Sequence, residues 1–101
     1  MNWKEIKEKY PTALEKLVKD EFPIAVYYLR DLYDFFDKQN ILIEISVRAG
    51  ESMPFFYEIE YISSEMIWEC ENDDLKYKTR QEAEQHAFLR AFEILEDKLK
   101  T

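Results

Sequence analysis

The hydrophobic period of this chain changes from 3.6 to 2 near residue 40 and returns to 3.6 near residue 79, which limits it to a helix–sheet–helix order. Before the first switch, Trp3, Ile6, Tyr10, Leu14, Leu17 and Val18 recur at helical spacing over residues 3–20. Pro11 falls inside that run. It lacks a backbone donor and its ring clashes with the preceding turn, so a break or kink is expected near Tyr10. Pro23 suits the first turn of a second helix over residues 23–38. Its apolar stripe is Ala25, Tyr28, Leu29, Leu32 and Phe36, with Asp31, Asp34 and Lys38 toward water. Gln39-Asn40 ends that helix, and Asn40 suits a left-handed cap.

Between the switches, Ile41, Ile43, Ile45 and Val47 alternate with Leu42, Glu44, Ser46 and Arg48. Gly50 through Pro54 reads as a turn. Phe55, Tyr57, Ile59 and Tyr61 alternate with Phe56, Glu58, Glu60 and Ile62; then Met66, Trp68 and Cys70 alternate with Glu65, Ile67, Glu69 and Glu71. Three strands with short connections make an antiparallel meander with one buried face and one wet face. A two-residue turn at Ser63-Ser64 pairs Tyr61 with Met66, Ile59 with Trp68 and Tyr57 with Cys70 on the core face, and sets Glu58 opposite Glu69 on the outer face. Asn72-Asp73-Asp74 closes the sheet. Thr79 followed by Glu82 is a capping-box pattern that opens the last helix. Ala83, Ala87, Phe88, Ala91, Phe92, Leu95 and Leu99 line one side of it, and the alanines let it lie close to the sheet. The expected core face is Ile43, Ile45, Tyr57, Ile59, Met66, Trp68, Ala87, Ala91 and Leu95. The expected fold is a single α+β domain over residues 1–101: two layers, a three-stranded antiparallel sheet with helices on one face, in the order α-α-β-β-β-α.

Charge separates along the same boundaries. Residues 41–75 hold nine acids and one base, Arg48, which equals the net charge of −8 of the whole chain. Residues 1–40 hold eight acids against seven bases, and residues 76–101 five against six. A nearly neutral helical frame thus carries an acidic sheet. Glu44, Glu58, Glu60, Glu65, Glu69 and Glu71 are expected on its outer face. That face has three readings: a solvated surface that blunts the sheet edges, a docking surface for a basic protein, or a carboxylate metal site. A flat sheet spreads its carboxylates, whereas Mg²⁺ or Ca²⁺ needs oxygens converging on one point. Glu44, Glu58, Glu60 and Glu69 are the candidate partner-binding residues. Acidity of this degree disfavours nucleic acid, since phosphate binding depends on Lys and Arg.

No catalytic constellation is visible. A single Gly leaves little room for a phosphate cradle, and no G-x-S-x-G, P-loop or G-x-G-x-x-G occurs. A single Cys, Cys70, cannot form an intramolecular disulfide or a Cys-rich zinc site; its alternation with Met66 and Trp68 makes it a buried, inert thiol. His86, the one histidine, stands four residues from both Glu82 and Arg90 on the solvent side of the last helix, without a third metal ligand. Lys76, Lys78 and Arg80 precede and enter that helix, either as an anion site with its exposed amides or as counter-charge to the acidic sheet. No apolar run reaches the roughly 18 residues of a membrane span, and the charged Met1-Asn2-Trp3-Lys4-Glu5 start lacks an apolar signal region. A cytoplasmic, non-catalytic protein without cofactor or metal is expected.

Two resemblances add to this reading. The order helix–strand–strand–strand–helix from residue 23, with Arg80-x-x-Ala83-x-x-x-Ala87, is similar to the double-stranded-RNA-binding domain. In that family lysines at the start of the last helix contact phosphates; here the matching run, Thr79-Arg80-Gln81-Glu82-Ala83-Glu84, keeps Arg80 as its one base beside two acids. Trp3-x-Glu5-Ile6-x-x-Lys9-Tyr10-Pro11, Asp31-Leu32-Tyr33-Asp34-Phe35-Phe36, and Tyr77-Lys78-Thr79-Arg80-x-Glu82-Ala83-Glu84 through Ala91-Phe92-Glu93-Ile94-Leu95-Glu96 resemble small phage- and prophage-type α/β proteins of gut bacteria. They are also broadly similar to phage α/β-sandwich domains. That resemblance implies an accessory protein acting through protein contacts, and no activity. The double-stranded-RNA-binding resemblance implies the alternative, a nucleic-acid-binding module.

Overall fold

The computed structural model describes residues 3–20, 29–63, 65–72 and 76–100. Pro11 divides the first helical run as expected. Helix α1 spans Trp3–Lys9 and helix α2 spans Pro11–Asp20, with Tyr10 between them. Pro11 opens α2, a position where its missing donor costs nothing. The first amides of α2 find a partner far along the chain: Glu96 Oε1 accepts from the Ala13 amide at 2.8 Å. Helix α3 spans Leu29–Lys38, the C-terminal part of the run expected over 23–38; Ala25 and Tyr28 lie outside the described residues. Leu32 and Phe36 are buried as expected, and so is Phe35. Phe35 lies three residues after Leu32, so it belongs to the same helical stripe. Asn40 takes the left-handed cap, with φ 59°. Lys98 Nζ donates to the Gln39 carbonyl at 3.0 Å, satisfying one of the acceptors left free at the helix end.

Three strands follow, β1 Ile41–Val47, β2 Phe55–Ile62 and β3 Trp68–Asn72, in an antiparallel sheet of order β1-β2-β3. In the β1–β2 register Ile43 faces Ile59 and Ile45 faces Tyr57, so the apolar parity of both strands points to one side. Helix α4, Arg80–Lys100, crosses that side over β1 and β2, and α3 packs against β1. Ala83, Ala87 and Ala91 are fully buried, which brings the α4 backbone close to the sheet. Helices α1 and α2 dock on α4. The core between these elements is aromatic. The Phe36 ring meets Phe92 edge-on at 5.0 Å and stacks with Phe88 at 6.2 Å, and Trp3 meets Phe92 edge-on at 6.2 Å. The α+β order, the antiparallel sheet and the packing of helices on it agree with the sequence reading.

The β2–β3 register does not. Ile59 faces Glu71, Glu60 faces Cys70, Tyr61 faces Glu69 and Ile62 faces Trp68. Relative to the expected pairing the strand is displaced by three residues, and an odd displacement exchanges its two faces. Glu69 and Glu71 therefore share the helix-side parity, while Trp68 and Cys70 point outward. The expected burial of Met66, Trp68 and Cys70 is overturned: all three are exposed, Met66 at 80% and Trp68 at 53%. One cause is the turn. The hairpin closes between Ser63 and Ile67, with Ser63 N donating to Ile67 O at 2.8 Å, and Met66 takes a left-handed conformation at φ 64°. Ser63 Oγ accepts from the Glu65 amide at 3.3 Å and the Ile67 amide at 3.4 Å, the kind of local hydroxyl–backbone bond that lets serine hold a longer turn. The second cause is Arg90 of α4, which pairs with Glu71.

Candidate partner-binding face

On the helix side of the sheet, the α4 residue opposite β3 is a base. Arg90 grips Glu71 with two parallel hydrogen bonds, Nε to Oε2 at 2.7 Å and Nη2 to Oε1 at 2.5 Å. Such a bidentate pair is among the stronger side-chain interactions. Arg90 also pairs with Glu93, whose Oε2 accepts from the Tyr10 hydroxyl at 3.2 Å, and the Tyr61 hydroxyl donates to Glu71 Oε1 at 3.1 Å. This chain of groups ties Tyr10, α4, β3 and β2 together. The Arg90 guanidinium holds the Glu71 carboxyl below its ordinary range, against the opposing effect of burial. Burial, with the neighbouring Glu69 and Glu71, pushes the Tyr61 hydroxyl up to about 12. Burying Trp68 and Cys70 would have set Glu71 on the far side of the sheet from Arg90.

Two more acids are held within the helical layer. Glu84 is buried and accepts from the Tyr33 hydroxyl at 3.1 Å. Glu96 is nearly fully buried. Burial pushes its carboxyl up, but the Ala13 amide, the Thr12 groups and Lys100 outweigh that, and the net shift is downward. A carboxylate at a helix start complements the partial positive charge there. Both acids were legible in principle. Glu84, Phe88, Phe92 and Glu96 follow at four-residue intervals along one row of α4, and an acid in an apolar row signals a buried partner.

The outer face carries what the helices do not cover. Its cross-strand rows are Ile62–Trp68, then Leu42–Glu60–Cys70, then Glu44–Glu58–Asn72, then Ser46–Phe56. The first row and the adjoining turn are apolar, with Trp68 53%, Ile67 56% and Met66 80% exposed, and Leu42 of the second row is 39% exposed. The middle rows are acidic. Glu44 stands directly opposite Glu58, a like-charge pair that costs a few tenths to about 1 kcal/mol. At the far end the Arg48 guanidinium lies 5.2 Å from the centre of the Phe56 ring. Leu42, Ile43, Glu44, Glu58 and Glu60 line an open depression of about 340 Å³. Of the candidate residues, the fold thus gathers Glu44, Glu58 and Glu60 on one face. Glu69 belongs to the opposite parity, paired with Tyr61.

Lys76 pairs with Glu51 in the β1–β2 connection and so serves as counter-charge, whereas Arg80 lies over the Phe55 ring at 5.4 Å. His86 is exposed as expected, and stacks on Tyr77 at 4.7 Å. Among the described residues, no three His, Cys, Asp or Glu side chains are grouped so as to hold a metal ion. Among the same residues, no helix is long and apolar enough to cross a membrane. Comparison with protein families, with curated proteins and with solved structures returns no match for the chain.

Proposed function

We propose that this chain is a small non-catalytic accessory protein that acts through protein–protein contacts made by the outer face of its sheet. The carrying observation is the apolar end of that face, where Trp68 is 53% exposed opposite Ile62, and Leu42 in the next row is 39% exposed. Contiguous exposed apolar residues with a polar rim mark interaction sites, and Trp is enriched among the residues that dominate binding. The resemblance to small phage- and prophage-type proteins supports an accessory role and attaches no reaction to it. The test is affinity capture from cell extract with tagged wild type and with Trp68→Ala/Leu42→Ala, alongside melting curves. The double variant is expected to melt close to wild type and to lose the captured species. Equal capture by both proteins would end this reading.

A further inference from the structure

We infer that this face receives a cationic amphipathic segment of a partner protein, with an apolar side chain seated on Leu42, Ile62 and Trp68 and a lysine or arginine in the depression among Glu44, Glu58 and Glu60. The inference rests on the outer sheet face being an interaction surface and names the chemistry of its partner.

The first ground is a contrast in how the fold treats its acids. Glu71, Glu84, Glu93 and Glu96 each meet a base, a hydroxyl or a helix amide on the helical side. Glu44, Glu58 and Glu60 make no ion pair and no side-chain hydrogen bond among the described residues, although Glu44 and Glu58 face each other across the strands. Arg48, the one base of that segment, is turned over Phe56. A partner cation would relieve this repulsion, whereas a neutral or anionic partner would add to its cost.

The second ground is geometry. Successive rows on one face of a sheet are about 7 Å apart, so Glu60 lies one row and the Glu44–Glu58 pair two rows from Ile62–Trp68. On a helix, a base four positions from an apolar residue lies about 6 Å away, close to the Glu60 row, and one eight positions away lies about 12 Å away, within side-chain reach of the Glu44–Glu58 row about 14 Å off. Leu42 contributes both to the apolar corner and to the lining of the depression, so the methylene stem of a Lys or Arg would stay in apolar contact while its charged end meets the carboxylates. A second copy of this chain is a poor occupant, because pairing two such faces sets like carboxylates together. Nucleic acid is a poorer one, since its phosphates would meet the same acids.

The test uses a synthetic 18-residue helical peptide of leucine and lysine as probe, with a leucine–glutamate peptide of the same pattern as control. Binding is read from Trp68 fluorescence in a Trp3→Phe background and from calorimetry, at low and at physiological salt. The expected result is binding of the lysine peptide alone, with a blue shift of Trp68, weakening as salt is added. Glu44→Gln/Glu58→Gln/Glu60→Gln should weaken it by about tenfold or more, equivalent to about 1.4 kcal/mol. Removing three charges from the helical side, Glu8→Gln/Glu15→Gln/Asp97→Asn, should change it by less than about threefold, well under that 1.4 kcal/mol. If both triple variants weaken binding equally, the attraction is to net charge and the inference falls. If only Trp68→Ala abolishes binding and the sheet-face triple leaves it intact, the surface is an interaction site but its partner is not selected by cation. If neither variant matters, both readings fall. Dimerisation of the free protein through this face, seen by sedimentation and abolished by Trp68→Ala, would replace the cationic partner with a second copy.

Discussion

Thr79 supplies the hydroxyl that starts α4: its Oγ1 accepts from the Glu82 amide at 3.1 Å, and the helix begins at the next residue, Arg80. Thr79→Ala leaves that amide without a protein partner and is expected to lower stability by about 0.5–2 kcal/mol in a urea or thermal melt. At Glu71 the consequence is a pH dependence. Arg90 holds its carboxyl below the ordinary value of 4.5, so the folded state favours the charged form. That contribution is complete above the unfolded value and is lost as pH falls through the lower, folded one. Wild type should therefore lose stability on acidification below about pH 4.5, and Glu71→Gln, less stable at neutral pH, should lose less over that interval. Parallel acid limbs in the two proteins would remove Glu71 from the account.

At the scale of elements, the contact of α4 with the sheet depends on small side chains. Ala91 is fully buried and sits one turn from both Ala87 and Leu95. Ala91→Leu inserts three carbons into a closed seam and is expected to cost roughly 1–3 kcal/mol through overpacking; an unchanged melting curve would show that the seam is loose. Strand β3 illustrates a different balance. It contacts β2 and little else, so its register is decided by one hairpin turn and one ion pair. The apolar alternation Met66-Trp68-Cys70 would place it one way round. The Ser63–Ile67 closure and the Arg90 grip on Glu71 place it the other way.

For the whole molecule, the decisive feature is how charge is partitioned between the two sides of the sheet. Glu71, Glu93 and Glu96 pair with bases and Glu84 with the Tyr33 hydroxyl on the helical side, whereas Glu44, Glu58 and Glu60 are left facing water and one another. Glu58→Lys sets opposite charges across the strands at the Glu44 position. It is expected to raise stability by a few tenths to about 1 kcal/mol at low salt, read as a higher melting temperature, and to weaken binding of the lysine peptide. A higher melting temperature for Glu58→Lys would show that the uncovered face carries a repulsion between Glu44 and Glu58.

What the sequence determined by itself is whatever depends on local periodicity and local hydrogen bonding. The α+β order, the break at Pro11, the left-handed Asn40, the Thr79 cap and the alternation of β1 and β2 all follow from spacings within a few residues of each other. Burial on α4 was equally legible for Ala83 through Leu95. The gathering of Glu44, Glu58 and Glu60 followed too, because β1 and β2 keep a period of 2 against a core that covers one side. The facing of β3 is not legible in the sequence: alternation fixes its period but not its phase, because phase is set by what lies across the sheet. Arg90 is 19 residues from Glu71 and Glu96 is 83 from Ala13, and no local pattern couples such positions. Only the tertiary structure decided that the acids of β3 turn toward a guanidinium. Trp68, placed in the core by its hydrophobicity, was thereby left on the surface: a two-residue period can face either way, and a bidentate ion pair together with a longer turn outweighed the burial of one edge-strand side chain.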